Sequence, residues 1–84
     1  MKTFIVLIPV VYFDSRKTCE AIENQTYKDV PALLKEVHEK LERGGKEGKD
    51  EDVLVYELSE FMDEVNNQEL DNLGNYFIGY AHLK

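Results

Sequence analysis

Carboxylates dominate what this chain could do chemically. Glu57, Glu60, Asp63 and Glu64 crowd one short stretch, and Glu60 and Glu64 stand four apart, which makes them neighbours on one face of a helix. Oxygens so placed could hold a hard cation weakly, but Asp63-Glu64-Val65-Asn66-Asn67-Gln68 lacks the alternating ligands and the glycine of a calcium-binding loop. His38 and His82 belong to no His-Glu-x-x-His or Cys-x-x-Cys arrangement, so zinc is not indicated. His38 reads as a satisfied or surface histidine at the edge of a helical stripe. The single cysteine, Cys19, would need a base and an oxyanion site beside it to act as a nucleophile; it reads as a small buried hydrophobe. Gly44-Gly45-Lys46-Glu47-Gly48-Lys49 has the glycines and lysines of a phosphate loop. It follows a predicted helix rather than a strand, however, and no Ser or Thr comes after the Gly-Lys pairs. No catalytic, cofactor-binding or metal-ligating residue is assigned.

What stands out instead is where the charge lies. Residues 1–49 carry nine Lys or Arg and eight Asp or Glu; residues 50–84 carry nine acids and one base, Lys84, for a chain total of −7. Carboxylates without a basic neighbour in sequence can sum to a negative surface field that steers a basic partner toward them. Glu57, Glu60, Asp63, Glu64 and Asp71 are the candidate steering and rim contacts, with Tyr76 and Tyr80 as candidate anchors, since tyrosine is enriched at interface hot spots. The same pattern also fits a plain solvated face that serves solubility. Direct nucleic-acid binding is disfavoured, because phosphate contacts need clustered Lys and Arg.

The elements that must present these residues follow from periodicity. Thr3 to Phe13 is rich in β-branched and aromatic residues on both alternating faces, which predicts a strand that is central or covered twice, with a bulge or free edge near Pro9. This opening also resembles the apolar stretch of a signal peptide. It is nevertheless too short to span a bilayer, and Tyr12-Phe13-Asp14 offers no small-residue cleavage site, so no membrane association is expected. Asp14 to Lys17 should turn the chain, and Thr18 to Asn24 reads as a second strand. Val30, Leu33, Leu34, Val37 and Leu41 form one helical stripe, with Asp29 as N-cap, Pro31 in the first turn and Arg43-Gly44-Gly45 as the stop. Residues 44–52, all charged or glycine, predict a mobile surface loop. Val53 to Leu58 reads as a third strand. Ser59 then caps a short helix, Glu60 to about Asn67, with Phe61, Met62 and Val65 inward, and Tyr76 to Leu83 is a last strand. On that strand Phe77, Gly79, Ala81 and Leu83 share one face, and its small residues imply close approach of another element. The expected fold is one α+β domain over residues 1–84. Its sheet of three or four strands is mostly antiparallel, with one long and one short helix on one face, in the order ββαβαβ.

Tyr56-Glu57-Leu58-Ser59-Glu60-Phe61, Asn66-Asn67 and Tyr76-Phe77-Ile78 resemble a pattern in short uncharacterised proteins of gut bacteria and their phages, over roughly the last 30 residues. The resemblance implies a phage or mobile-element setting and assigns no functional residue. A lone cysteine in so small a domain favours a reducing, cytoplasmic location. Three function classes follow. The leading one is a non-enzymatic interaction module, such as a phage-encoded inhibitor or regulator docking on a basic surface. The second is a structural component of a virion or a homo-oligomer that pairs through an exposed sheet edge. The third is a small enzyme or ligand-binding domain.

Overall fold

The computed structural model of the protein describes residues 2–12, 14–41, 53–68 and 73–84. In chain order the elements are β1 (Lys2–Pro9), α1 (Ser15–Ile22), β2 (Thr26–Tyr27), α2 (Val30–Leu41), β3 (Leu54–Glu57), α3 (Leu58–Asn66), a 3-10 turn (Leu73–Asn75) and β4 (Tyr76–Leu83). The fold is α+β, with four strands in the spatial order β2-β4-β1-β3. β1 runs antiparallel to both neighbours, whereas β2 joins β4 in parallel, so the sheet is mixed.

β1 is central, and its residues Ile5 to Ile8 are each at most 1% exposed, as apolar side chains on both faces require. β3 pairs with β1 only as far as Leu7, so Pro9 lies past the end of that ladder, where its missing N–H leaves no gap. α2 starts as its cap residue dictates, with the Ala32 N–H donating to Asp29 Oδ1 at 2.9 Å. The stop at Arg43-Gly44-Gly45 and the loop over 44–52 lie outside the described residues.

Four expectations need correction. The segment read as a turn and second strand is instead helix α1, and the second strand is the two-residue β2 that follows it. The buried stripe of α1 is Ser15, Thr18, Cys19 and Ile22, spaced i, i+3, i+4 and i+7. Because two of these are hydroxyl residues, the helical period does not register as apolar. Ser15 Oγ ties the start of the helix to the carbonyls of Pro9 and Tyr12. α3 begins earlier than expected, with Glu57 in the cap position, and Ser59 Oγ donates to Glu57 Oε1 at 3.2 Å rather than capping the helix.

Met62 and Val65, expected inward, are exposed, and only Phe61 of that helix is buried. Finally, the helices do not share one face. Val6 and Ile8 of β1 pack with Cys19 and Ile22 of α1 and Leu33, Val37 and Leu41 of α2, whereas Ile5 and Leu7 pack with Phe61 of α3. Chain geometry explains the division. β2, β3 and β4 are mutually parallel, and the crossover from β2 to β3 traverses the sheet in the opposite direction to that from β3 to β4. Two crossovers of one hand that run in opposite directions must put their helices on opposite faces, and right-handed crossovers are strongly favoured.

Candidate functional site

The half-covered face of the sheet gathers the candidate residues. Register places Tyr76, Ile78, Tyr80 and His82 of β4 on the same side as Ile5 and Leu7 of β1 and Leu54 and Tyr56 of β3. α3 contacts β1 and β3 on this side. Beneath it, Phe61 packs with Ile5 and Leu7, flanked by Leu54, Tyr56, Leu73 and Tyr76. The rings of Tyr56 and Phe61 lie tilted with centroids 6.1 Å apart.

The helix turns different chemistry to either side of Phe61. At 3.6 residues per turn, Leu58, Met62 and Val65 project about 40–100° to one side of it, and Glu60 and Glu64 about 60–100° to the other. The acidic flank is the one beside β3. Burial pushes the Tyr56 phenol pKa upward, and the nearby carboxylates of Glu64 and then Glu60 push it further. The apolar flank therefore faces β4, where Ile78 is 42% and Tyr80 48% exposed; Met62 on the helix is 49% exposed.

Of the residues proposed for partner contact, Glu57, Glu60 and Asp63 are exposed and Glu64 is half-buried, all on or at the start of α3. Among the described residues, Glu57 alone of these four has an ion pair, to Lys2 at 3.9 Å, and both side chains are too exposed for that contact to be worth much. Tyr80 is exposed beside the apolar flank of α3, while Tyr76 is half-buried in the cluster around Phe61. Asp71 lies outside the described residues, as do Asp50, Glu51, Asp52 and Glu69. Sequence reasoning missed Leu58, Met62, Val65 and Ile78 as surface residues, because their spacing is that of a buried stripe and a buried strand.

Other features of the chain differ in kind. Cys19 sits in the α1 side of the core, and burial, followed by the charges of Glu23 and Glu20, raises its thiol pKa to about 11. The thiolate needed for nucleophilic attack is thus scarce at neutral pH. Tyr27 of β2 donates a short hydrogen bond to Glu36 of α2, and its phenol is pushed up by burial and by that contact. An open depression of about 280 Å³ between α1 and α2 is lined by Asp14, Lys17, Thr18, Ala21 and Lys40. Among the described residues the Thr18 hydroxyl has no hydrogen-bond partner, but it is itself sealed from solvent. Among the described residues no three of His, Cys, Asp and Glu converge as a metal site would require, and no helix is long and apolar enough to cross a membrane.

No family model, curated protein or solved structure matches the chain. Geometry and charge therefore carry the functional reading.

Proposed function

We propose that this chain is a small non-enzymatic interaction module that docks the α3 face of its sheet onto a basic surface of a partner protein, as a phage-encoded inhibitor or regulator acting in the cytoplasm. The observation that supports this reading most is the grouping of Glu60, Asp63 and Glu64 on one nine-residue helix, with Glu57 in its cap position, beside exposed apolar side chains. Unpaired charge of one sign raises association rates with an oppositely charged partner, and a desolvated apolar centre supplies the residence time. Tyr80 is the anchor on the strand side. The self-assembly reading has the same uncovered face in its favour but must overcome repulsion between two chains of net charge −7.

The test is capture from bacterial lysate by the immobilised protein at low and at high ionic strength, beside a variant carrying Glu57→Gln, Glu60→Gln, Asp63→Asn and Glu64→Gln. A partner held by the field should be captured at low salt, released as screening grows, and missed by the neutralised variant. Equal capture by both proteins, or no partner at low salt, removes the proposal.

A further inference from the structure

Only part of β4 has a neighbour on its outer side. β1 accompanies it along its whole length, whereas β2 reaches only His82 and Leu83. Two hydrogen bonds fix which way its main chain points. At one end the Val10 N–H donates to the Asn75 carbonyl at 2.9 Å, toward β1; at the other the Lys84 N–H donates to the Tyr27 carbonyl at 3.0 Å, away from β1. Main-chain groups alternate sides along a strand, so Phe77, Gly79 and Ala81 bond β1, while the N–H and C=O groups of Ile78 and Tyr80 point out of the sheet edge. Among the described residues no hydrogen bond reaches these outward groups. Edges of this kind are ordinarily blunted by charge, proline or a bulge. Asn75 to Leu83 contains no Lys, Arg, Asp, Glu or Pro, and its register with β1 is unbroken.

We propose that the outer edge of β4 at Ile78 and Tyr80 receives an extended segment of a partner protein as a fifth strand. The main chain itself selects the occupant: unpaired donors and acceptors repeating every second residue are matched by another strand, and not by a helix, whose backbone groups are already bonded within it. Side chains of the incoming strand that fall on the α3 side would lie beside Ile78 and Tyr80, which are 42% and 48% exposed. Apolar residues at alternate positions therefore fit, and proline is barred where its nitrogen would face β4. A second copy of this chain does not fit. α1 lies so close over β4 that a Cβ on Gly79 would meet Cys19 Sγ at 3.2 Å. Two β4 edges joined in one sheet would set two such helices about 4.8 Å apart, whereas packed helices keep about 8–10 Å. The occupant is thus a strand with no helix of its own above it. Charge has little part in this contact, because Glu60 and Glu64 stand on the far flank of α3, near Tyr56 of β3. Strand addition goes beyond the charge-steered docking and does not depend on it.

Amide exchange followed by NMR on the whole chain tests this. In the free protein the amide protons of Ile78 and Tyr80 should exchange at least tenfold faster than those of Phe77 and Gly79. The probe is a peptide of alternating valine and threonine, ~6 residues long as an ordinary strand is, methylated on every second backbone nitrogen so that it keeps one bonding edge and cannot stack on itself. In excess it should slow exchange at Ile78 and Tyr80 at least tenfold and leave Phe77 and Gly79 unchanged; the same peptide methylated on every backbone nitrogen should change none of the four. Ile78→Pro removes an outward donor where an edge strand tolerates proline, and should abolish binding of the probe. If Ile78 and Tyr80 are as protected as Phe77 and Gly79 in the free protein, the edge is already occupied and the proposal fails. It fails also if the fully methylated peptide binds equally well or if the half-methylated one leaves exchange unchanged. A dimer in sedimentation equilibrium that Ile78→Pro dissolves assigns the edge to a second copy and overturns the proposal. The variant with its four carboxylates neutralised should take the probe as the wild type does; a loss of binding there would make the field, and not the edge, responsible. Failure of strand addition leaves the docking proposal to its own test in lysate.

Discussion

The two faces of this sheet draw on similar apolar side chains and end in different states. On the α1/α2 face, Val6, Ile8, Ile22, Leu33, Val37 and Ala81 are fully buried, and the helix comes so close that a Cβ on Gly79 would meet Cys19 Sγ at 3.2 Å and Ile22 Cδ1 at 3.3 Å. On the α3 face, Ile5, Leu7 and Phe61 are buried, yet Leu58, Met62, Val65, Ile78 and Tyr80 remain open to water. A small domain has little apolar surface to spare, and these five side chains are what the proposed docking would draw on; Phe77, on the other face of β4, is also exposed.

The contrast can be broken first at the closed face. Leu33→Ala should cost about 2–5 kcal/mol in urea denaturation, since it empties a fully buried position; a cost below about 1 kcal/mol would mean that α2 does not close a packed core. Next comes Gly79→Leu, which forces a branched side chain into the contact between β4 and α1 and should cost roughly 1–3 kcal/mol by the same measurement. If it is neutral, α1 does not lie so tightly on the sheet.

Closure of that face should also be visible in alkali. The folded thiol of Cys19 titrates near 11 rather than at its ordinary 9.0, so above pH 9 the unfolded chain loses this proton first and the folded state does not. The stability associated with this group is fully present below pH 9. It should then fall by up to about 1.4 kcal/mol per pH unit between pH 9 and 11. Cys19→Ala should remove that component of the slope, and an unchanged slope would show that the thiol is not shielded. Smallest are the changes on the open face, where Met62→Gln and Ile78→Thr should each alter stability by no more than about 0.5 kcal/mol. A larger loss from either would make the face part of the core and erase the distinction.

Legibility followed the same line. β1, α2 and β4 could be read because bulky apolar residues repeat at the period of the element, and Asp29 marks its helix by accepting a backbone N–H. α1 was hidden because Ser15 and Thr18 supply half its buried stripe; small polar side chains suit a helix lying against Gly79, but they carry no hydrophobic signal. At the candidate site the grouping of Glu57, Glu60, Asp63 and Glu64 was plain in the sequence. The exposure of Met62, Val65 and Ile78 was not, because a stripe at helical spacing looks the same whether or not the chain supplies something to cover it.

By itself, then, the sequence determined local matters: which segments alternate, which turn every 3.6 residues, where one helix is capped, and where negative charge collects without neighbouring bases. Tertiary structure alone decided which faces meet. With β1 enclosed between β3 and β4, the crossovers through α2 and α3 traverse the sheet in opposite directions, and their common hand sends those helices to opposite sides. α1 joins α2 on its face, which leaves a single helix to the other. No periodicity along the chain records that division, because it arises from the handedness of connections between strands distant in sequence.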